Sequence, residues 1–259
     1  MHRAPRRAIL LALGLALALV LPAAVTANHS WGGYHWARTA NPFTLKLGDN
    51  VSGAWDSVLA TTSSDWSEST VLDTTIVPGT TKPRTCKATT GMVQVCNAKY
   101  GYNGWLGVAG ISITGGTHIT KAYVKLNDSY FASPTYNTTA WRNLVSCQEV
   151  GHTFGLDHQD ENFNNANLGT CMDYTSNPGT NQHPNQHDYD QLESIYAHLD
   201  STTTVSSAPA TSAGAAGSNA ADAAWGTLVK VTNHGRGAWY VRDFGAGNLQ
   251  LTHVFWADR

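Results

Sequence analysis

Residues 148–158 read Gln-Glu-Val-Gly-His-Thr-Phe-Gly-Leu-Asp-His, which puts a carboxylate and two imidazoles within reach of one point. Imidazole nitrogen is the commonest protein donor to metals, and a carboxylate beside a metal can take a proton from water. Residues four apart on a helix stand one turn above each other, so positions 148 and 152 can face the same ion with Glu149 on the near flank. Gly155 can take the left-handed conformation that stops a helix and swings His158 back toward it. A catalytic zinc needs three protein ligands, an open position and a base. The expected set is Gln148, His152 and His158 as ligands and Glu149 as general base.

Gln148 is the unusual member. Its amide oxygen reaches as far from the backbone as the distal nitrogen of a histidine and carries no charge, but it is a weaker donor to zinc. A hydrogen-bonding role beside the ion is the open alternative. Calcium also stays open, with no motif to support it. His118, His183, His187 and His198 could serve a second metal, but scattered histidines read as surface or capping residues and receive no site here.

These residues need a helix under them. Trp141, Leu144, Val145, Gln148 and His152 repeat at helical spacing, and Asn137 or Thr138 can cap the start. A second helix follows Asn50 as N-cap, with Val51, Trp55, Val58 and Leu59 on one face. A third carries Tyr189, Leu192, Ile195, Tyr196 and Leu199. Short apolar or alternating runs at 43–47, 71–77, 92–96, 106–113 and 119–126 predict five strands.

The 259-residue chain divides into four parts. Residues 1–27, basic and then apolar, ending Val25-Thr26-Ala27, read as a signal peptide too short to span a membrane. Residues 28–200 carry the periodic signal of one domain. Residues 201–224 are Ser, Thr, Ala and Gly with almost no large apolar side chain, a flexible linker. Residues 225–259 alternate at 227–232 and 249–255 and predict a short β-rich extension, too small to fold alone, that docks on the domain or on a partner.

Removing 1–27 takes Arg3, Arg6 and Arg7 from 16 basic residues and none of the 18 acidic ones, leaving a net charge of −5. No basic face remains for nucleic acid or an anionic membrane. The four cysteines, Cys86, Cys96, Cys147 and Cys171, fit two disulfides in an exported chain, with three pairings open. Cys86 with Cys96 and Cys147 with Cys171 is favoured, since the second bond would tie the residue before Gln148 to the residue before Met172. Cysteine ligation of zinc has no CxxC spacing behind it.

The 148–158 string resembles HExxHxxGxxH, the signature of the metzincin zinc endopeptidases, with Gln148 in place of the first histidine. Cys171-Met172-Asp173-Tyr174 is similar to the methionine turn of that family. Over residues 30–200 the chain looks like a matrixin-type domain. The resemblance implies an α+β fold with a five-stranded mixed sheet and three helices, a zinc on the cleft floor and Met172 beneath it. It also implies an edge strand, here 106–113, that binds an extended polypeptide by strand addition. Tyr174 is placed like the tyrosine that astacins and serralysins use to stabilise the oxyanion, which matrixins generally lack. Pro83-Arg84-Thr85-Cys86 does not match a cysteine-switch propeptide.

The expectation is a secreted, extracellular, monomeric zinc endopeptidase. The alternative is a metal-poor pseudopeptidase that binds protein or peptide. Glu149 leans toward the enzyme, because a chain without catalysis has no chemical need for it. A structural or adhesive module rests on the linker and extension alone.

Overall fold

A computed structural model describes residues 29–206, 225–232 and 235–258. The signal segment and linker residues 207–224 lie outside the described residues. Residues 201–206 run along the domain, where Thr204 N–H donates to Ala37 O at 2.9 Å and Ser206 N–H to Gly91 O at 3.1 Å.

The five expected strands form as β2 (Phe43–Asn50), β3 (Leu72–Pro78), β5 (Met92–Ala98), β6 (Trp105–Thr114) and β7 (His118–Asn127), with short β1 (His35–Trp36) and β4 (Thr89–Thr90) added on β7. The extension supplies β8 (Thr227–Val231), β9 (Gly237–Asp243) and β10 (Leu249–Trp256). The path runs β3-β2-β5-β7-β6-β10-β9-β8. Pairing is parallel from β3 to β7 and antiparallel from β7 onward, so the protein is α+β with a mixed sheet.

Two consequences differ from expectation. The sheet is larger than five strands because the extension joins it, and β6 is not an edge: β10 pairs with it from Leu249↔Ile113 to Trp256↔Trp105. The backbone groups that would receive an added strand are already paired.

Helix α1 (Ala54–Trp66) starts one turn later than expected. Gly53 is its N-cap, while Asn50 ends β2 and spends its amide on Gly48 O and Gln94 Oε1. After the short helix α2 (Asp128–Phe131), helix α3 (Thr139–His152) is capped by Thr138, whose hydroxyl accepts from Trp141 N–H at 3.2 Å. Helix α4 (Gln186–Ile195) is held by an Asn185–Asp188 capping box and ends before Leu199, which is 57 % exposed rather than packed.

Helix α3 lies against β6 closely enough that a Cβ on Gly107 would stand 2.6 Å from Val145 Cγ1 and 2.8 Å from Glu149 Cγ. Only glycine allows that approach, which lowers Glu149 onto the sheet. Both favoured disulfides are present, Cys86–Cys96 and Cys147–Cys171, each with Cα atoms 5.9 Å apart.

Candidate metal centre

His152 is the last residue of α3, and Gly155, at φ +98°, turns the chain as its position predicts. A Cβ at 155 would collide with Tyr34 O, so no other residue fits there. The turn returns His158 until its Nε2 lies 3.1 Å from His152 Nε2.

The other ring nitrogen fixes the tautomer of His152. His152 Nδ1 is 2.8 Å from Leu156 O, an acceptor, so it carries the proton. His158 Nδ1 faces two carboxylates, Asp157 Oδ1 and Glu161 Oε1, each at 3.4 Å. His152 Nε2 is therefore bare, and it meets His158 Nε2 at hydrogen-bond distance. Either a proton on His158 or a metal cation can join the two nitrogens, and carboxylates or carbonyls behind ligating imidazoles are the usual support of a metal site. Burial, and then His158, pushes His152 well below its usual range, leaving it neutral as a donor must be.

A third imidazole arrives from the extension. His253 of β10 groups with His152 and His158, with one nitrogen from each ring within 4.8 Å of the others. Its Nδ1 is 3.1 Å from Glu149 Oε2 and its Nε2 is 2.8 Å from the Tyr174 hydroxyl. Burial drives His253 well below its ordinary pKa, and the two neighbouring histidines add to that. Burial also raises the Glu149 carboxyl well above the carboxylate range, with only the Ala109 backbone opposing. The Tyr174 hydroxyl is likewise pushed far up, by burial and by Glu149.

Gln148 is fully buried. Its Nε2 donates to Cys171 O at 2.7 Å, which ties α3 to the methionine turn, and its Oε1 has no hydrogen-bond donor among the described residues. Met172 lies under the helix end, where a Cβ on Gly151 would come 2.8 Å from its sulfur. The structure thus brings Gln148, Glu149, His152, His158, Met172 and Tyr174 into one region. His183 pairs with Asp65, and His187 stacks on His29.

The extension also roofs the centre. Trp239 of β9 has its ring 4.8 Å from His152, 4.5 Å from His253 and 4.0 Å from Trp31. Gly237 sits so close over Tyr174 that a Cβ there would overlap the hydroxyl. Lys230 of β8 bridges Asp157 at 3.2 Å and Glu161 at 2.7 Å. Burial alone would raise the Asp157 carboxyl, but His158 and Lys230 outweigh it and hold it below its usual range. Glu149, His152 and His253 have no exposed surface.

Sequence reasoning missed His253 and Trp239. A signal for the first existed: in Leu249-Gln-Leu-Thr-His-Val-Phe, alternation puts His253 on the face of Leu251 and Phe255. A histidine on the apolar face of a strand needs a partner, and here it faces the candidate centre.

No family model matches the chain, and no curated protein matches it. Among solved structures, that of myroilysin aligns with 66 % of this chain and 99 % of its own, at 12 % identity and a TM-score of 0.36.

Proposed function

We propose that the protein is a secreted zinc-dependent endopeptidase of the metzincin kind, with its cation held by His152, His158 and His253. The carrying observation is the convergence of one ring nitrogen each from His152, His158 and His253 within 4.8 Å, with the Glu149 carboxyl beside them. A divalent cation bound there would supply Lewis acidity toward a water molecule and the scissile carbonyl. Imidazole is a better zinc donor than an amide, so His253 takes the place that Gln148 leaves weak by exchanging its bond to Glu149 or to the Tyr174 hydroxyl for the ion. Gln148 holds α3 to the methionine turn through Cys171 O, and its oxygen is left as a weaker donor.

Glu149 is the group suited to accept a proton from water and pass it to the leaving amine. Its carboxyl lies beside the converging imidazoles, with Oε2 3.1 Å from His253 Nδ1, which is where a base for a metal-held water would stand. Tyr174, with its hydroxyl kept protonated, can donate to the oxygen on which negative charge develops. The two disulfides suit an oxidising compartment, and no described helix is long and apolar enough to cross a membrane.

A second reading, a peptidase-like fold that binds rather than cleaves, is favoured by one observation. β10 occupies β6, where an extended substrate would pair, and the centre beneath it has no exposed surface. Cleavage of an unfolded protein substrate by the zinc-loaded chain decides between them. The endopeptidase reading expects peptide fragments from the wild type and none from Glu149→Ala at equal zinc content. An intact substrate with both proteins would favour the binding reading.

A further inference from the structure

A second histidine cluster lies apart from the centre, at the other end of the N-terminal segment that carries Trp31. His35 of β1, His118 at the start of β7, and His198 with Asp200 beyond α4 come from three separate parts of the chain. His35 Nε2 and His198 Nε2 are 3.1 Å apart, and Asp200 Oδ1 lies 3.6 Å from the first and 3.7 Å from the second. One donor atom from each of these three residues falls within 4.8 Å of the others.

The surroundings prepare these atoms as ligands. His35 Nδ1 is 2.9 Å from Gly33 O and must carry its proton there, which leaves Nε2 bare and directed at the cluster. His118 Nε2 lies 3.1 Å from the same Oδ1 and helps to hold that oxygen in place. Arg38 takes the other oxygen through Nη1 at 3.1 Å and its backbone N–H at 3.2 Å, and Asp200 N–H returns a bond to Arg38 O at 2.9 Å. The carboxylate is thereby fixed with Oδ1 toward the two imidazoles. A ligand held by neighbours in this way is the usual build of a metal shell. His35 is buried, while His198 is about half exposed, so an ion has a route in and a fourth position is left for water.

We propose that His35, His198 and Asp200 form a second divalent-metal site, selective for zinc over calcium or magnesium because two of its three donors are imidazoles. The ion fastens β1 to the chain leaving α4. Through β1 it steadies Trp31, whose ring packs on His152 and Trp239. The role is structural.

The test is zinc stoichiometry of the full chain after removal of loosely held metal, read beside thermal unfolding. A variant lacking the buried centre, His152→Ala with His158→Ala, should keep one zinc per chain, and added zinc should raise its Tm by several degrees, about what a ligand well above its Kd gives a domain this size. Adding His198→Ala, a change at a half-exposed residue, should remove both the zinc and the Tm rise, while His183→Ala should leave both. If the double variant does not fold, His198→Ala alone should lose one of the two zinc ions of the wild type. Zinc content unchanged by His198→Ala, in whichever background folds, overturns the proposal. A wild type that keeps only an ion insensitive to His198→Ala does the same and leaves the buried centre standing.

Discussion

Helix α3 and strand β10 meet at the same centre but bring their side chains there by different physics. On α3, Gln148, Glu149 and His152 are placed by helical spacing, by the Thr138 cap and by the Cys147–Cys171 bond, all within a short stretch of chain. On β10, His253 is placed by its pairing opposite Ala109 of β6, a residue far away in sequence. One half of the centre is local and covalently tied, whereas the other depends on a strand staying docked. Metal binding and docking of the extension are thus linked: whatever loosens β10 removes an imidazole, and an ion that holds His253 holds β10.

The comparison breaks most visibly at the chemistry. Glu149→Ala should lower cleavage at saturating zinc by about a hundredfold or more, the usual effect of losing a general base, while zinc content holds. Fragment release by the variant at wild-type rate would remove Glu149 from the reaction. On the strand side, Trp239→Ala deletes a buried ring touching three residues of the centre and should cost about 3–5 kcal/mol in chemical denaturation. On the helix side, replacing Cys147 and Cys171 together by serine should cost about 2–4 kcal/mol, because the bond closes a loop of 24 residues. Thr138→Ala should cost about 1 kcal/mol through loss of its cap, read in the same unfolding experiment. Lys230→Met is the weakest, at most about 1 kcal/mol and fading with salt, since the ion pair it breaks is partly exposed. A Lys230→Met loss larger than that of Trp239→Ala would mean that charge rather than packing docks the extension.

The same division governs what could be read from sequence. The strands of the domain, the α3 face, the Gly155 turn and both disulfide pairs were legible because each rests on local period or close spacing. Asn50 looked like a cap yet ends a strand, because tertiary contacts with Gly48 and Gln94 outweigh its preference for a helix start. Leu199 continued the helical period, but the chain leaves α4 to bring Asp200 against Arg38. His253 could not be assigned because nothing local says which strand β10 will pair with. The same holds for the cluster around Asp200, whose members are harmless singly and are assembled only by the fold.

The most direct test of a centre shared by helix and strand is the zinc dissociation constant of two single variants in a background carrying His198→Ala, measured by chelator competition. His253→Ala should weaken zinc by about a hundredfold or more, beyond what loss of a supporting group usually costs, whereas Gln148→Ala should change it by less than about tenfold. The reverse order, with Gln148→Ala the damaging change and His253→Ala neutral, would contradict the account and return the third ligand to the helix.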